Sequence, residues 1–436
     1  MTTVQPERPT RTTRPAVTLP APLRAPGRDG EDRLPLRVGV RRWVGALREA
    51  LDRPLTTYYL LLGSVALLLT IGLIMVLSAS SVYSFRENGD SYAVVRKQLI
   101  WVAIGLPAAW SAAHFPHVWV RRLAYPVYGV SLLLLALTAF IGVEINGNQN
   151  WLALGPVQIQ PSEIAKFAMV LWAANILANK ERRLGSVKQM AVPVVPGMLL
   201  AIMLVLLGRD VGTALVFLAI MVGMLWVVGL PLRYFLVGTM AGAVGALALA
   251  ATDPERLDRI RTAFDPMQDF LGTGWQPAHG LYAMASGGVF GQGIGASRQK
   301  WGTLPEAHTD FIFAVLGEEL GLAGTVLVIG LFLTLAFAAL RIARHTADPF
   351  VRYASFGIVV WLLGQMMINI GMVLAMLPVI GIPLPLVSYG GSSLVPTLAA
   401  LGLLIGFARR EPEAARALAQ RPHRRRPRSV GLAARR

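Results

Sequence analysis

The sequence predicts an all-α polytopic membrane protein of about ten transmembrane helices with one large extracytoplasmic loop. Three observations predict it: a shortage of charge, the length of the apolar runs, and the uneven placement of the basic residues. Of 436 residues, 54% are hydrophobic and 15% charged, with a mean hydropathy of +0.54. Soluble domains carry roughly 25% charged residues. Crossing a hydrocarbon core of about 30 Å takes about 20 mostly apolar residues in a helix. Ten stretches suit that role, near 58–80, 98–113, 123–142, 161–179, 190–207, 211–230, 232–251, 311–340, 353–377 and 392–408. The second is short, and the eighth is long enough to require a kink or tilt.

The third observation concerns charge. Residues 1–55 hold eleven Arg against six acids, and residues 409–436 hold ten Arg against two. The formal net charge of +17 is therefore concentrated in two tails. No basic stripe is interleaved with aromatics, so nucleic acid is not an expected partner. With the N-terminus inside, the inner loops carry Arg121, Arg122, Lys180, Arg182, Arg183, Lys188, Arg233, Arg341, Arg344 and Arg352, opposed by Glu181 and Asp348. The outer loops hold nine basic and eleven acidic residues. That asymmetry puts both termini in the cytoplasm. The chain divides into a disordered basic cytoplasmic tail (1–55), a membrane domain (56–408) and a second basic cytoplasmic tail (409–436).

The first hydrophobic run is too long for a signal-peptide core, although Ser78-Ala79-Ser80 resembles a cleavage site. The chain has no cysteine, which excludes disulfides, thiolate metal sites and a cysteine nucleophile. Residues 252–310 form the long outer connection, and loops of that length are commonly functional. It contains a charged amphipathic piece, 254–261, and a Gly-rich piece, 286–297. The latter lacks the strand and helix that a phosphate loop requires, so close backbone packing or a hinge explains it better. No internal repeat is visible.

Ionisable residues inside a membrane are costly and face protein or water, which makes them candidates for function. Glu163 and Lys166 sit at i, i+3 on one face of the fourth span, where they either brace helix packing or line a cavity. Asp210 opens the sixth span and suits a helix cap. Gln365 and Asn369, at i, i+4, suit interhelical hydrogen bonds. The turn Ser388-Tyr389-Gly390-Gly391-Ser392-Ser393 opens the tenth span. Its amides and Ser388, Ser392 and Ser393 either hold an anionic head group or cap the helix. Glu306, His308 and Asp310 could bind a divalent cation weakly, but a solvated loop histidine fits His308 better, and no metal site is assigned. Asp310 directly precedes the apolar Phe311-Ile312-Phe313. Desolvation and Glu306 would raise its pKa, and a helix start would lower it.

Four motifs carry a family resemblance: NQNWLALGPVQIQPSEIAKF (148–167), RDVGTAL (209–215), GGVFGQGIGASRQKWGTLPEAHTDFIFAVLGEELG (287–321) and NIGMVLAMLPVIGIPLPLVSYGGSS (369–393). From about Tyr58 to Ala408 the chain resembles the SEDS proteins (shape, elongation, division and sporulation), and the third motif looks more like their division type than their rod-elongation type. The resemblance implies a ten-helix, inverting peptidoglycan glycosyltransferase in the plasma membrane, at the division septum. Its substrate would be lipid II, an undecaprenyl-pyrophosphoryl disaccharide-peptide. Asp310 would be the general base on the acceptor 4-hydroxyl, with Glu163 and Lys166 lining the central cavity. Asp210 matches the family's Asp in its PDxGT motif, and Glu306 and His308 support the base. A class B penicillin-binding protein transpeptidase and other divisome proteins are the implied partners. Two residues depart from the pattern. Gly208-Arg209 stands where Gln-Pro or Glu-Pro is usual before Asp210, and Asn150 where Arg often precedes the Trp. A lipid II flippase, a rod-elongation-type SEDS polymerase and a scaffold acting through the tails are the competing readings.

Overall fold

The computed structural model describes residues 53–145, 147–155, 157–251, 265–267 and 269–419. The expectations for the first tail, for the charged piece 254–261 and for the end of the second tail fall outside these residues, apart from the few tail residues at each border.

Every expected span corresponds to helix. Three long helices come first: α1 (Thr56–Asn88), α2 (Ala93–His114) and α3 (His117–Ile141). A small sheet follows, β1 (Val143–Ile145), β2 (Asn148–Leu154) and β3 (Val157–Ile159). The chain continues through α4 (Pro161–Lys180), α5 (Val187–Ala191), α6 (Val194–Leu207), α7 (Val211–Val227) and α8 (Leu232–Ala251). After the long connection come α9 (Trp275–Gly287), α10 (Ile312–His345), α11 (Pro349–Val373), α12 (Gly391–Arg410) and α13 (Pro412–Ala419). Five of these, α1, α3, α10, α11 and α12, are long and apolar enough to cross a membrane on their own. The expected span 190–207 is shortened, because the helix restarts after Pro193 and α6 has 14 residues. At 1.5 Å per residue that is about 21 Å, less than a hydrocarbon core.

The bundle is sorted by burial. In α4, 15 of 20 residues are buried, and it packs against α3, α6, α7, α11 and α12, so it is the central helix. By contrast α3 keeps Leu133, Phe140 and Ile141 more than 60% exposed, an apolar face left for lipid. The α2–α12 pair is held by small residues. A Cβ on Gly402 would stand 2.1 Å from the Ala109 carbonyl oxygen, and one on Gly406 2.5 Å from that of Ala113. Glycines four apart on one helix thus meet alanines four apart on the other, the close approach that packs helices in lipid.

The sheet is an antiparallel meander in the order β1-β2-β3. Left-handed Gly147 and Gly155 mark its two turns. It is a small addition to a fold that is otherwise all helix, and it ties to the bundle where the Gln149 amide donates to the Gly208 carbonyl (2.9 Å).

The kink expected in the eighth span lies at Gly321, with φ 67° and ψ −164°. That region is essentially restricted to glycine. The break exposes backbone groups, and the Gly-rich segment satisfies them. Gln292 and Gly293 amides donate to the Glu318 and Glu319 carbonyls (2.9 and 3.0 Å), and Leu322 and Ala323 amides donate to Gly288 and Val289 (2.9 and 3.0 Å). A Cβ on Gly321 would meet the Gly291 nitrogen at 2.3 Å. Close backbone packing is therefore what the glycines of 287–293 serve. Gly321→Ala is expected to destabilise the protein by about 1–3 kcal/mol, read as a lowered melting temperature in detergent.

The side chains at the kink continue the same junction. Glu318 and Glu319 are 1% and 0% exposed. Glu318 accepts from the Ser297 hydroxyl (2.5 Å) and the Arg298 amide (2.9 Å). Glu319 accepts from Ser78 on α1 (2.6 Å) and faces Lys300 (3.3 Å). The segment that leads to Asp310 is thereby anchored on α10 and α1.

Candidate functional site

Asp310 sits two residues before α10, just outside the spanning helix. Its position is set by three successive carbonyls, each accepting from a different part of the chain. The Tyr389 amide donates to His308 (3.0 Å), the Ser388 hydroxyl to Thr309 (2.6 Å), and the Asn369 side-chain amide to Asp310 (2.7 Å). Asn369 and the segment 388–389 therefore hold the backbone of 308–310.

Asn369 also donates to the Ile382 carbonyl (2.7 Å), and one turn earlier Gln365 donates to the Pro383 carbonyl (3.0 Å). The Gln365 carbonyl oxygen accepts from Lys166 Nζ (3.1 Å) and from the Trp361 indole (2.9 Å). Lys166 in turn bridges both oxygens of Glu163 (2.9 and 2.8 Å) with its ammonium 5.8 Å from the Trp361 ring centre. One face of α11 thus joins the Glu163–Lys166 pair to the loop 378–388 and to Asp310. Both partners of that pair are buried, at 2% and 0% exposed.

The loop 378–388 is the common neighbour. Gly381 has φ +67°, and a Cβ on it would lie 3.4 Å from Asp310 Oδ2. The neighbouring Ile380 carbonyl packs on Gly212 in the first turn of α7, where a Cβ would come within 2.3 Å. That turn begins at Asp210, which is 4% exposed and accepts from the amide and hydroxyl of Thr213, both at 2.8 Å. Asp210 is thus a helix cap, as its position suggests. It also accepts from Asn150 (2.7 Å), so one residue that departs from the family pattern bonds directly to the Asp that matches it.

Electrostatics single out Asp310. Its residue surface is half-buried, yet desolvation, followed by the charges of Glu306 and Asp210, raises its pKa from 3.8 to about 7. A carboxyl tuned toward neutral pH is the property wanted of a general base. His308 corrects the expectation of a solvated loop histidine. It is half-buried and stacked on Tyr83, with ring centres 4.9 Å apart and planes 27° apart. Burial lowers its pKa, and Glu306 opposes that shift. Glu306 is exposed, in a left-handed conformation with φ 52°, and binds the Thr309 hydroxyl (2.5 Å). Among the described residues no group of three or more His, Asp or Glu converges as a metal site.

Of the tenth-span turn, Ser388 serves the Asp310 segment and also accepts from the Leu384 amide (2.8 Å). Ser393 donates back to the Gly390 carbonyl (3.0 Å), Ser392 is half-buried in the first turn of α12, and among the described residues no side chain caps that helix start. Gln365 and Asn369 do more than sequence reasoning assigned them, since an i, i+4 polar pair on an apolar helix does not reveal which carbonyls it meets. Asn369→Leu is expected to lower kcat about tenfold or more with little change in KM, since misplacement by an ångström is costly in catalysis. Steady-state kinetics of the purified variant would measure that split.

A polytopic helical membrane protein with a desolvated carboxylate at the membrane border is the class that fold and site define. The chain belongs to the FtsW/RodA/SpoVE family of cell cycle proteins, whose pattern matches residues 58–412. It is 40% identical over 370 residues to "Probable peptidoglycan glycosyltransferase FtsW" of Mycobacterium tuberculosis (strain ATCC 25618 / H37Rv), covering 84% of this chain and 71% of that one. It is 38% identical over 347 residues to the stage V sporulation protein E of Bacillus subtilis (strain 168), covering 79% and 94%. Among solved structures it resembles a chain of a peptidoglycan synthase complex that coordinates polymerization and crosslinking, with TM-score 0.66 and 32% identity over 80% of this chain and 96% of that one. The rod shape determining protein RodA of Thermus thermophilus matches with TM-score 0.61 and 32% identity, over 81% and 97%.

Proposed function

We propose that the protein is a peptidoglycan glycosyltransferase that polymerises lipid II, and that Asp310 is its general base. The carrying observation is the Asp310 carboxyl, raised to about 7 and pinned through its own carbonyl by Asn369. In the reaction the acceptor 4-hydroxyl gives its proton to Asp310 and its oxygen bonds to the donor's anomeric carbon. The bond from that carbon to phosphate breaks, undecaprenyl pyrophosphate leaves, and the configuration inverts. Near pH 7 a base of this pKa is half ionised and still basic enough to accept the proton.

Glu163 and Lys166 support this reading as a buried charged pair in the central helix, joined to the same loop. We assign Glu306 and His308 supporting parts: Glu306 raises the Asp310 pKa, and His308 packs the segment against Tyr83. Both termini lie in the cytoplasm, the long connection lies outside, and the protein works at the division septum with a class B penicillin-binding protein and other divisome proteins. The relatives named FtsW and the synthase-complex chain support that setting.

The test is the full chain reconstituted in vesicles with lipid II. Appearance of glycan polymer is expected. Movement of the lipid II head group across the bilayer without polymer would replace this reading with the flippase.

A further inference from the structure

Some cationic groups at the ends of the spanning helices have a partner that neutralises them or shares their protons. Arg352 pairs with Glu181 (2.8 Å), and Arg409 lies 2.7 Å from His114. Arg121 and Arg122, in the first turns of α3, differ. Among the described residues neither has a carboxylate within ion-pair distance. Both guanidinium groups are nevertheless held. Arg121 donates to Asn175 (3.1 Å) and Asn179 (2.7 Å) and lies over the Phe350 ring at 5.7 Å. Arg122 lies over Trp119 at 5.2 Å.

The two arginines line an open cleft of about 390 Å³ together with Val118, Tyr125 and Asn175. That volume falls within the range of about 300–1,000 Å³ typical of small-ligand sites. Its surroundings resemble a membrane interface. Trp119 and Tyr125 are 51% and 49% exposed, as in an aromatic belt at headgroup depth. Above them runs the helix whose spanning window is only 28% buried, an open apolar wall for acyl chains.

We propose that this cleft binds the phosphate of an anionic glycerophospholipid, with Arg121 and Arg122 on the phosphate oxygens and the acyl chains along α3. Guanidinium forks suit phosphate oxygens and are weakly hydrated. Basic pockets between spanning helices hold anionic head groups for the same reason. Two positive charges without a protein counter-ion favour a lipid of net negative charge over a zwitterionic one. Asn175 is 4% exposed, accepts from the Arg121 guanidinium through Oδ1 and donates through Nδ2 to the Arg121 carbonyl, so the fork is set before lipid arrives.

The experiment uses the full chain in nanodiscs of phosphatidylcholine alone or mixed with phosphatidylglycerol, with native mass spectrometry counting the lipids retained. The wild-type protein is expected to retain phosphatidylglycerol, and Arg122→Gln to hold it about fivefold more weakly. Arg122→Gln breaks no hydrogen bond described for Arg122, and its melting temperature in phosphatidylcholine should match wild type. Arg121→Gln/Arg122→Gln should retain none above the phosphatidylcholine background. Equal retention by wild type and Arg122→Gln overturns the proposal. So does displacement of the lipid by inorganic phosphate at millimolar concentration, which would make the cleft a free-anion site.

Discussion

Asp310→Asn is expected to slow glycan polymerisation by about 10²–10⁴-fold, the usual worth of a positioned general base. Asn keeps the size and hydrogen-bonding shape of the side chain but cannot take the acceptor proton. The backbone clamp from Tyr389, Ser388 and Asn369 engages carbonyls, so it survives the change. The pH dependence separates this from a folding defect. With a pKa near 7, wild-type kcat/KM should rise about tenfold per pH unit below 7 and level off above it. Stability should run the other way. Because the folded-state pKa of this acid lies above its unfolded value of 3.8, the native state binds the extra proton between pH 4 and 7. Stability therefore falls as pH rises through that window and stays at its lower value above it. Asn carries no such penalty. The variant should thus be nearly inactive and yet, above pH 7, at least as thermally stable as wild type. An Asp310→Asn protein with wild-type turnover would remove Asp310 from the chemistry, and one that melts well below wild type at pH 8 would point to a structural role.

What the sequence made visible follows from which interactions are encoded locally. Apolar runs report helices whatever they pack against, so all ten stretches are legible as helix, five of them long and apolar enough to span on their own. Excess length reported the bend at Gly321 for the same reason. Asp310 was legible because an acid beside Phe311-Ile312-Phe313 marks a dielectric border within a few residues. The clamp on it was not, because its acceptors are the backbone carbonyls of 382–383 and 308–310, and every residue possesses a carbonyl. Asn369 and Gln365 read as generic interhelical glue, because the carbonyls they meet, in the loop 378–388 and at Asp310, are brought to them only by the fold. His308 was misjudged because its stacking partner Tyr83 lies more than two hundred residues away on α1. The sheet at 143–159 was missed because its strands are three to seven residues long and fall between apolar spans. Glu318 and Glu319 are two adjacent acids within an apolar run, with nothing in the neighbouring sequence to pair them. Their partners Ser78, Ser297 and Lys300 come from two other segments, and only the fold brings them together.

Lys166→Met is expected to destabilise the protein by about 3–5 kcal/mol, because it strands the Glu163 carboxylate in the bundle without its counter-ion. The two side chains are 0% and 2% exposed, so water cannot replace the lost partner. The substitution also strips Gln365 of one donor to its carbonyl oxygen, leaving the Trp361 indole as the remaining one. Adding Glu163→Gln should restore most of the stability, since a buried ion pair replaced as a unit is often neutral or better. The double variant then answers what the pair is for. If it is only a brace for α4 against α11, polymerisation should return with the melting temperature. If the pair also positions the loop 378–388 against Asp310 through Gln365, stability should return while kcat stays low. Because Gln365 connects Lys166 to Pro383 in the loop against Asp310, the second outcome is the expected one, and melting curves with lipid II turnover on the same preparations decide it.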